Sequence, residues 1–172
     1  MQNLFSYPLK LEDMSSATQN YKLKASQKEL ECITEVMKVP AVKSFEAEIK
    51  VKLLKKEHIV EVDGTIDADV EQTSVISLEN FVKSYHNAFS LRFDTKMTQK
   101  ELKEIDFEYD DELLDILDNG QIDLAAIAME HLALVLDDFP RKDGEEFLFQ
   151  SEFDEETTQA TNPFSVLKKL KK

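Results

Sequence analysis

From Phe45 to Val70 the chain alternates between apolar and polar residues, and this period constrains the fold more than any other feature. Phe45, Ala47, Ile49, Val51 and Leu53 fall on one side, with Glu46, Glu48, Lys50 and Lys52 on the other. After Lys55-Lys56-Glu57 the alternation resumes. Val60, Val62, Gly64, Ile66, Ala68 and Val70 then face one way, and Glu61, Asp63, Thr65, Asp67, Asp69 and Glu71 the other. Successive strand residues point to opposite faces, so the pattern predicts a long antiparallel hairpin with one buried and one wet face. Opposite charges paired across the wet face contribute about 0.2–1 kcal/mol each. A third strand is expected around Ser74–Leu78. A fourth runs from Phe81 to Phe93, with Phe81, Tyr85, Phe89, Leu91 and Phe93 on a common side. The expectation for residues 42–93 is an antiparallel meander whose edges need cover.

Helical signals flank this region. Ser26-Gln27-Lys28-Glu29 is a capping-box pattern, followed by Leu30, Ile33, Val36 and Met37 at helical spacing and by Pro40 as a stop. Cys32, inside this helix, reads as a small packed side chain rather than a nucleophile. Further on, Asp118-Asn119-Gly120 signals a turn, and Asp123 is placed to cap a helix from Leu124 to about Leu136. That helix is apolar nearly all round, interrupted only by Glu130 and His131, so it has to be sandwiched between neighbours. Pro163 opens a short closing helix with Phe164, Leu167 and Leu170 on one stripe. Lys168, Lys169, Lys171 and Lys172 lie around and after that stripe. The expected fold class is α+β: an antiparallel β-meander packed against a long apolar helix, with an N-terminal helix and a short C-terminal helix. The expected division is a single α+β domain over 1–142, an acidic mobile loop over 143–160 and a basic C-terminal helix over 161–172.

Charge is distributed unevenly along the 172 residues, which sum to −14. Residues 1–57 carry +2, 58–102 carry −4, 103–160 carry −16 and 161–172 carry +4. An acidic body repels a phosphate backbone wherever no basic patch overcomes it, so DNA is not an expected partner, whereas basic proteins are. No apolar run is long enough to span a membrane, and Met1-Gln2-Asn3-Leu4-Phe5 lacks the basic and apolar parts of a secretory leader. With a single cysteine, a reducing, cytoplasmic setting is the expectation.

The search for catalytic or metal chemistry mostly eliminates. Three glycines, at 64, 120 and 144, cannot form a dinucleotide fingerprint or a phosphate-cradling loop. A calcium loop starting at Asp115 fails on register, with Leu117 and Ala126 at ligand positions. His58, His86 and His131 have no metal-ligand spacing with one another or with Cys32. The expectation is a protein with no enzymatic activity, no catalytic residues, no metal and no cofactor.

Residues 118–140, running from Asp118-Asn119-Gly120-Gln121-Ile122-Asp123-Leu124 through the apolar helix to Pro140, resemble the core motif of the YceD family. These are bacterial and plastid proteins described as large ribosomal RNA subunit accumulation proteins. The end of the chain, Asn162-Pro163-Phe164-Ser165-Val166-Leu167-Lys168-Lys169-Leu170, is similar to the family's closing proline-then-L-K-K-L segment. Ser74-Val75-Ile76-Ser77-Leu78 stands where many members carry C-x-R-C-L. The resemblance spans roughly residues 20–172. Ser74 and Ser77 replace two frequent cysteines, and residues 139–144 lack further ones, so no zinc property is carried over.

The resemblance implies a role in accumulation or processing of large-subunit ribosomal RNA, with the precursor RNA, a basic ribosomal protein, or both as partners. The candidate binding residues are Asp118, Asn119, Gly120, Asp123, Pro163, Phe164, Leu167, Lys168, Lys169, Lys171 and Lys172. A different class of function also fits the charge: an acidic interaction module, inhibitor or nucleic-acid mimic, unrelated to ribosomes. Phe81, Tyr85 and Phe89 read as core rather than as an RNA-stacking platform, and Asp63, Asp67, Asp69 and Glu71 as a solvated face.

Overall fold

A computed structural model describes residues 5–96, 115–117 and 120–146. Strand β1 (Pro8–Lys10) and a 3-10 turn (Leu11–Asp13) lead to β2 (Gln19–Lys24) and helix α1 (Gln27–Met37). Three long strands follow: β3 (Ala41–Leu54), β4 (Ile59–Thr73) and β5 (Asn80–Asp94). Strands β6 (Asp115–Ile116) and β7 (Gln121–Asp123) precede helix α2 (Leu124–Val135). One sheet has the order β2-β3-β4-β5-β6, and β1 and β7 form a second, two-stranded sheet. All pairings are antiparallel except β5 with β6. Residues 1–142 form one compact unit and 143–172 another, of which only 143–146 are described.

The period-two segment forms the centre of the large sheet. β3 and β4 pair from Ala41–Glu71 to Leu54–Ile59, with one irregularity between Val42 and Ser44. β4 and β5 pair without interruption from Thr73–Asn80 to Ile59–Asp94. Phe45, Ile49, Val51, Val60, Val62, Ile66 and Val70 are all buried on the inner face. On the outer face, Lys22–Glu48 and Lys24–Glu46 pair at 2.6 Å and Lys43–Glu71 at 2.5 Å. Two of these three lysines come from β2, a strand that periodicity does not reveal. Exposed as they are, such pairs contribute little individually.

The inner face is covered by both helices. Ile33 of α1 is fully buried, and the Thr34 hydroxyl accepts the Val42 N–H at 2.8 Å, tying α1 to β3. Helix α2 packs on β4 and β5, with Leu124, Ala128 and Leu132 fully buried. Its fit depends on a glycine. Gly64 lies opposite Phe89 in the ladder, and the Phe89 ring fills the space that a Cβ at position 64 would occupy. On its other side the ring stacks on His131 of α2, with centroids 4.2 Å apart and planes 6° from parallel.

The expected fold class is corrected by these observations. The described residues are mostly antiparallel β-sheet, in two sheets, with two short helices, and not an α+β meander packed on a long helix. Helix α2 spans 12 residues, about three turns, and ends before Leu136, whose backbone is extended ahead of the Asp137-Asp138-Phe139-Pro140 stop. The first element is a strand, and α1 follows two strands, so the described chain does not open with an N-terminal helix. The physical reason is cover: strands of 14 and 15 residues make a face longer than either helix, and extended segments at the start of the chain complete it. The short C-terminal helix and the 147–160 part of the acidic loop lie outside the described residues.

Ser74–Leu78 is also not a strand. The Ser74 hydroxyl accepts from the N–H groups of Ile76 and Ser77, the Leu78 N–H bonds the Ser74 carbonyl, and Leu78 takes φ 60°. Side-chain capture of neighbouring amides competes with ladder pairing and makes this a turn.

Gly64→Ala tests the packing directly. The new methyl group has to displace a ring held by His131, so we expect a loss of about 1–3 kcal/mol in urea denaturation. Adding Phe89→Leu, which removes the ring, should recover part of the added cost in a double-mutant cycle.

Candidate functional site

The motif that carries the family resemblance is built into the junction of the small sheet and α2. Gly120 is exposed and adopts φ 68°, a conformation that suits glycine and admits the chain into β7. Asp118 and Asn119 lie outside the described residues, as do Pro163, Phe164, Leu167, Lys168, Lys169, Lys171 and Lys172. Asp123 caps α2. Its Oδ1 accepts the N–H groups of Ala125 at 3.0 Å and Ala126 at 3.1 Å. The same oxygen accepts the Tyr7 N–H at 2.8 Å, and Oδ2 accepts the Ser6 hydroxyl at 2.5 Å. The Leu124 N–H completes the joint by bonding the Tyr7 carbonyl. One carboxylate therefore holds the helix start and a segment 116 residues earlier. Its acceptor capacity is used inside the fold.

A second polar cluster forms where α2 ends. The phenol of Tyr85 donates to the side-chain carbonyl of buried Gln72 and lies 3.2 Å from Asp137 Oδ2. Lys83 donates to the same Asp137 oxygen at 2.6 Å. The Lys83 ammonium, with Tyr85 assisting, holds the Asp137 carboxyl below the usual carboxylate range. Burial pushes the Tyr85 phenol up. Gln72 and Asp137 line an open hollow of about 450 Å³ together with Met37, Val39, Ala133 and Leu136. None of this was visible in the sequence, because Lys83 and Asp137 are 54 residues apart and no local pattern pairs them.

The outer face of the large sheet carries a row of acids along β4. Asp69 accepts from Ser84 at 2.5 Å and from Ser44 at 2.9 Å, and these hydroxyls hold its carboxyl below the usual range. Asp67 meets His86 Nδ1 at 2.8 Å. Between these side chains lie two shallow hollows, one lined by Ser44, Asp67, Asp69 and Ser84 and one by Lys50, Asp63, Thr65 and Ala88. Tyr85 and Phe89 are buried on the opposite face. Among the described residues, no group of three or more His, Cys, Asp or Glu side chains is placed to hold a metal ion. No helix among them is long and apolar enough to cross a membrane.

Geometry alone thus defines a mainly antiparallel β-domain with an acidic outer face and a carboxylate-locked helix joint. The model of the family described as large ribosomal RNA subunit accumulation protein YceD matches residues 62–171, well over half of the chain, and the chain belongs to that family. The match begins within β4 and takes in β5, β6, β7 and α2, so β1, β2, α1 and β3 precede it. It is narrower than the roughly 20–172 span of the sequence resemblance. No curated protein and no solved structure matches the chain.

Two outcomes are expected. Asp123→Ala removes the cap and the tie to Ser6 and Tyr7, and urea denaturation should show a loss of at least about 0.5–2 kcal/mol, the range for a cap alone. Asp123→Asn, which keeps one carbonyl acceptor, should lose less. The second outcome concerns acid. Asp69, Asp137 and Glu29 are all held below their ordinary range, chiefly by Ser84, Lys83 and Ser26 respectively. A depressed carboxyl stabilises the fold above its unfolded range, and that stabilisation fades as pH falls through the folded one. The thermal midpoint should therefore drop on acidification below about pH 4, and Asp69→Asn should flatten part of that acid limb. An unchanged midpoint down to about pH 3 in wild type contradicts the assignment.

Proposed function

We propose that this chain is a non-enzymatic factor that supports accumulation or processing of large-subunit ribosomal RNA by binding a basic ribosomal protein, the precursor RNA, or both. The family match over residues 62–171 carries the reading. Two physical features support it. The −14 charge, concentrated as −16 over residues 103–160, complements basic proteins and disfavours an unassisted RNA contact. The closing segment, Pro163 to Lys172, combines the apolar Phe164, Leu167 and Leu170 with four lysines, a composition suited to a small amphipathic contact that reaches phosphate. Four lysines release only a few counterions, so the tail assists RNA contact without supplying high affinity. The action is placed in the cytoplasm, where precursor subunits assemble, with neither membrane nor DNA as partner. The distribution of acid also favours a second reading, an acidic inhibitor or nucleic-acid mimic unrelated to ribosomes, which predicts no association with precursor particles.

Co-sedimentation with precursor large subunits at low salt tests the proposal. Changing Lys168, Lys169, Lys171 and Lys172 to Gln should cause a modest, salt-sensitive loss of association. Truncation at Asn162 should weaken it further, because the apolar stripe goes too. If the wild-type chain fails to co-sediment, the ribosomal reading falls. If both variants co-sediment as well as wild type, the tail has no role in recognition.

A further inference from the structure

Helices α1 and α2 end beside the same hollow. Val36 and Met37 close α1, Ala133 lies in the last turn of α2 and Leu136 just beyond it, and all four line the hollow of about 450 Å³. That volume falls within the range of about 300–1,000 Å³ found for ligand pockets. The last carbonyls of a helix have no partner within it and give its C-terminus a partial negative charge. Neither last turn carries a basic residue. Lys38 and Asp138 also belong to the lining, and neither has a side-chain partner among the described residues. Their charges offset each other, and the Asp137 carboxylate is engaged by Lys83 and Tyr85. What remains is the negative end of two helices, which favours a cation.

A buried polar group in the same lining points to a ligand. Gln72 is 4% exposed, and its side-chain carbonyl accepts the Tyr85 phenol. Its amide nitrogen has no hydrogen-bond partner among the described residues, although Gln72 lines the hollow. An N–H group so enclosed is costly to leave unpaired, and a ligand oxygen removes that cost. A neutral carbonyl suits the place, because a carboxylate would meet the two negative helix ends. The apolar walls, Met37, Val39 and Leu136, suit the stem of a long basic side chain. Arginine answers the helix-end carbonyls and Asp138 better than lysine, because its planar fork of N–H donors spans several acceptors at once. Val36 is 55% exposed, and Phe139, between the lining residues Asp138 and Pro140, is 75% exposed. Large apolar side chains left at the rim suit the flanks of a protein segment rather than a free small molecule.

We propose that the hollow at the adjacent ends of α1 and α2 binds an arginine presented by an apolar-flanked segment of a partner protein, with a backbone carbonyl of that segment on the Gln72 amide and the guanidinium among the helix-end carbonyls and Asp138. The proposal rests on the reading of this chain as a binder of basic ribosomal proteins, and it specifies where such a protein is held and by which of its residues.

The test uses the full chain and the peptide acetyl-Leu-Arg-Leu-amide as probe. Amide chemical shifts should move at 36–40, 72–73 and 133–140, the segments that line the hollow, and not on the outer face of β4. Citrulline in place of arginine keeps the shape without the charge and should weaken binding about tenfold or more, and a Glu peptide should not bind. Ala133→Phe, at an exposed position, fills the hollow and should weaken binding about tenfold or more while leaving the thermal midpoint near that of wild type. Asp138→Asn should weaken it about two- to fivefold. Gln72→Met removes the unpaired donor and should weaken it about two- to tenfold. Because Gln72 also holds the Tyr85 phenol, Ala133→Phe carries the test if Gln72→Met does not fold. The proposal is overturned if the citrulline peptide binds equally well, if the shifts lie outside the hollow, or if Ala133→Phe binds like wild type. It is also overturned if these shifts move with chain concentration alone, the mark of a second copy, or if a single-stranded RNA moves them and the peptide does not. Because this readout needs no precursor particle, its failure leaves the co-sedimentation result standing, and the converse also holds.

Discussion

The structure depends on covering one apolar face. Three strands of 14 or 15 residues in unbroken or nearly unbroken register generate an inner surface of valines, isoleucines and phenylalanines that water would otherwise contact. Burying that surface is the dominant favourable contribution, and every other element can be read as a means to it. Helix α2 lies between β4 and β5 on one side and β1 on another, which buries most of its apolar residues but leaves Ala133 and Leu134 exposed. The Gly64–Phe89–His131 stack shows how close the fit is: the glycine makes room for the ring, and the ring makes a floor for the helix.

Polar groups are then spent on joints. Asp123 holds the helix start and the Ser6–Tyr7 segment with a single carboxylate, so the small β1-β7 sheet and α2 are fixed together. Asp137 does similar work at the far end, where Lys83 and Tyr85 converge on one oxygen. Neither arrangement resembles a reaction centre with a nucleophile beside a base. What stays exposed among the described residues includes the acidic row along β4 and the small side chains of Ser84, Ala88 and Ser90 beside it on β5.

Local features were legible in the sequence because their physics is local. The Ser26–Glu29 capping box forms, with the Glu29 carboxylate accepting the Ser26 N–H at 2.7 Å and its hydroxyl at 2.6 Å. Asp123 caps α2, and the alternation over β3 and β4 sorts side chains as the period requires. The family resemblance was legible as well, since order and spacing of short motifs survive without any knowledge of contacts. The α+β class was not a correct reading, because periodicity weighs each segment by its own pattern and the extended segments β1, β2, β6 and β7 are too short or too polar to register. Ser74–Leu78 misled for a related reason: its Val, Ile and Leu suit a strand, but the Ser74 hydroxyl captures the amides that a ladder would need.

By itself the sequence determined which side chains of the β3–β4 hairpin face inward, both described helix starts, the acidic balance and the family. These follow from side-chain period, capping chemistry and composition, which act over a few residues or over the whole chain without regard to geometry. Only the tertiary structure decided which strand lies beside which, that Lys22 and Lys24 face Glu48 and Glu46, and that Asp123 reaches Ser6 and Tyr7. It also decided that β5, the long strand with the fewest charges, ends the antiparallel ladder. Those outcomes depend on closing loops of tens to more than a hundred residues, and no local pattern records which closures bury the most apolar surface.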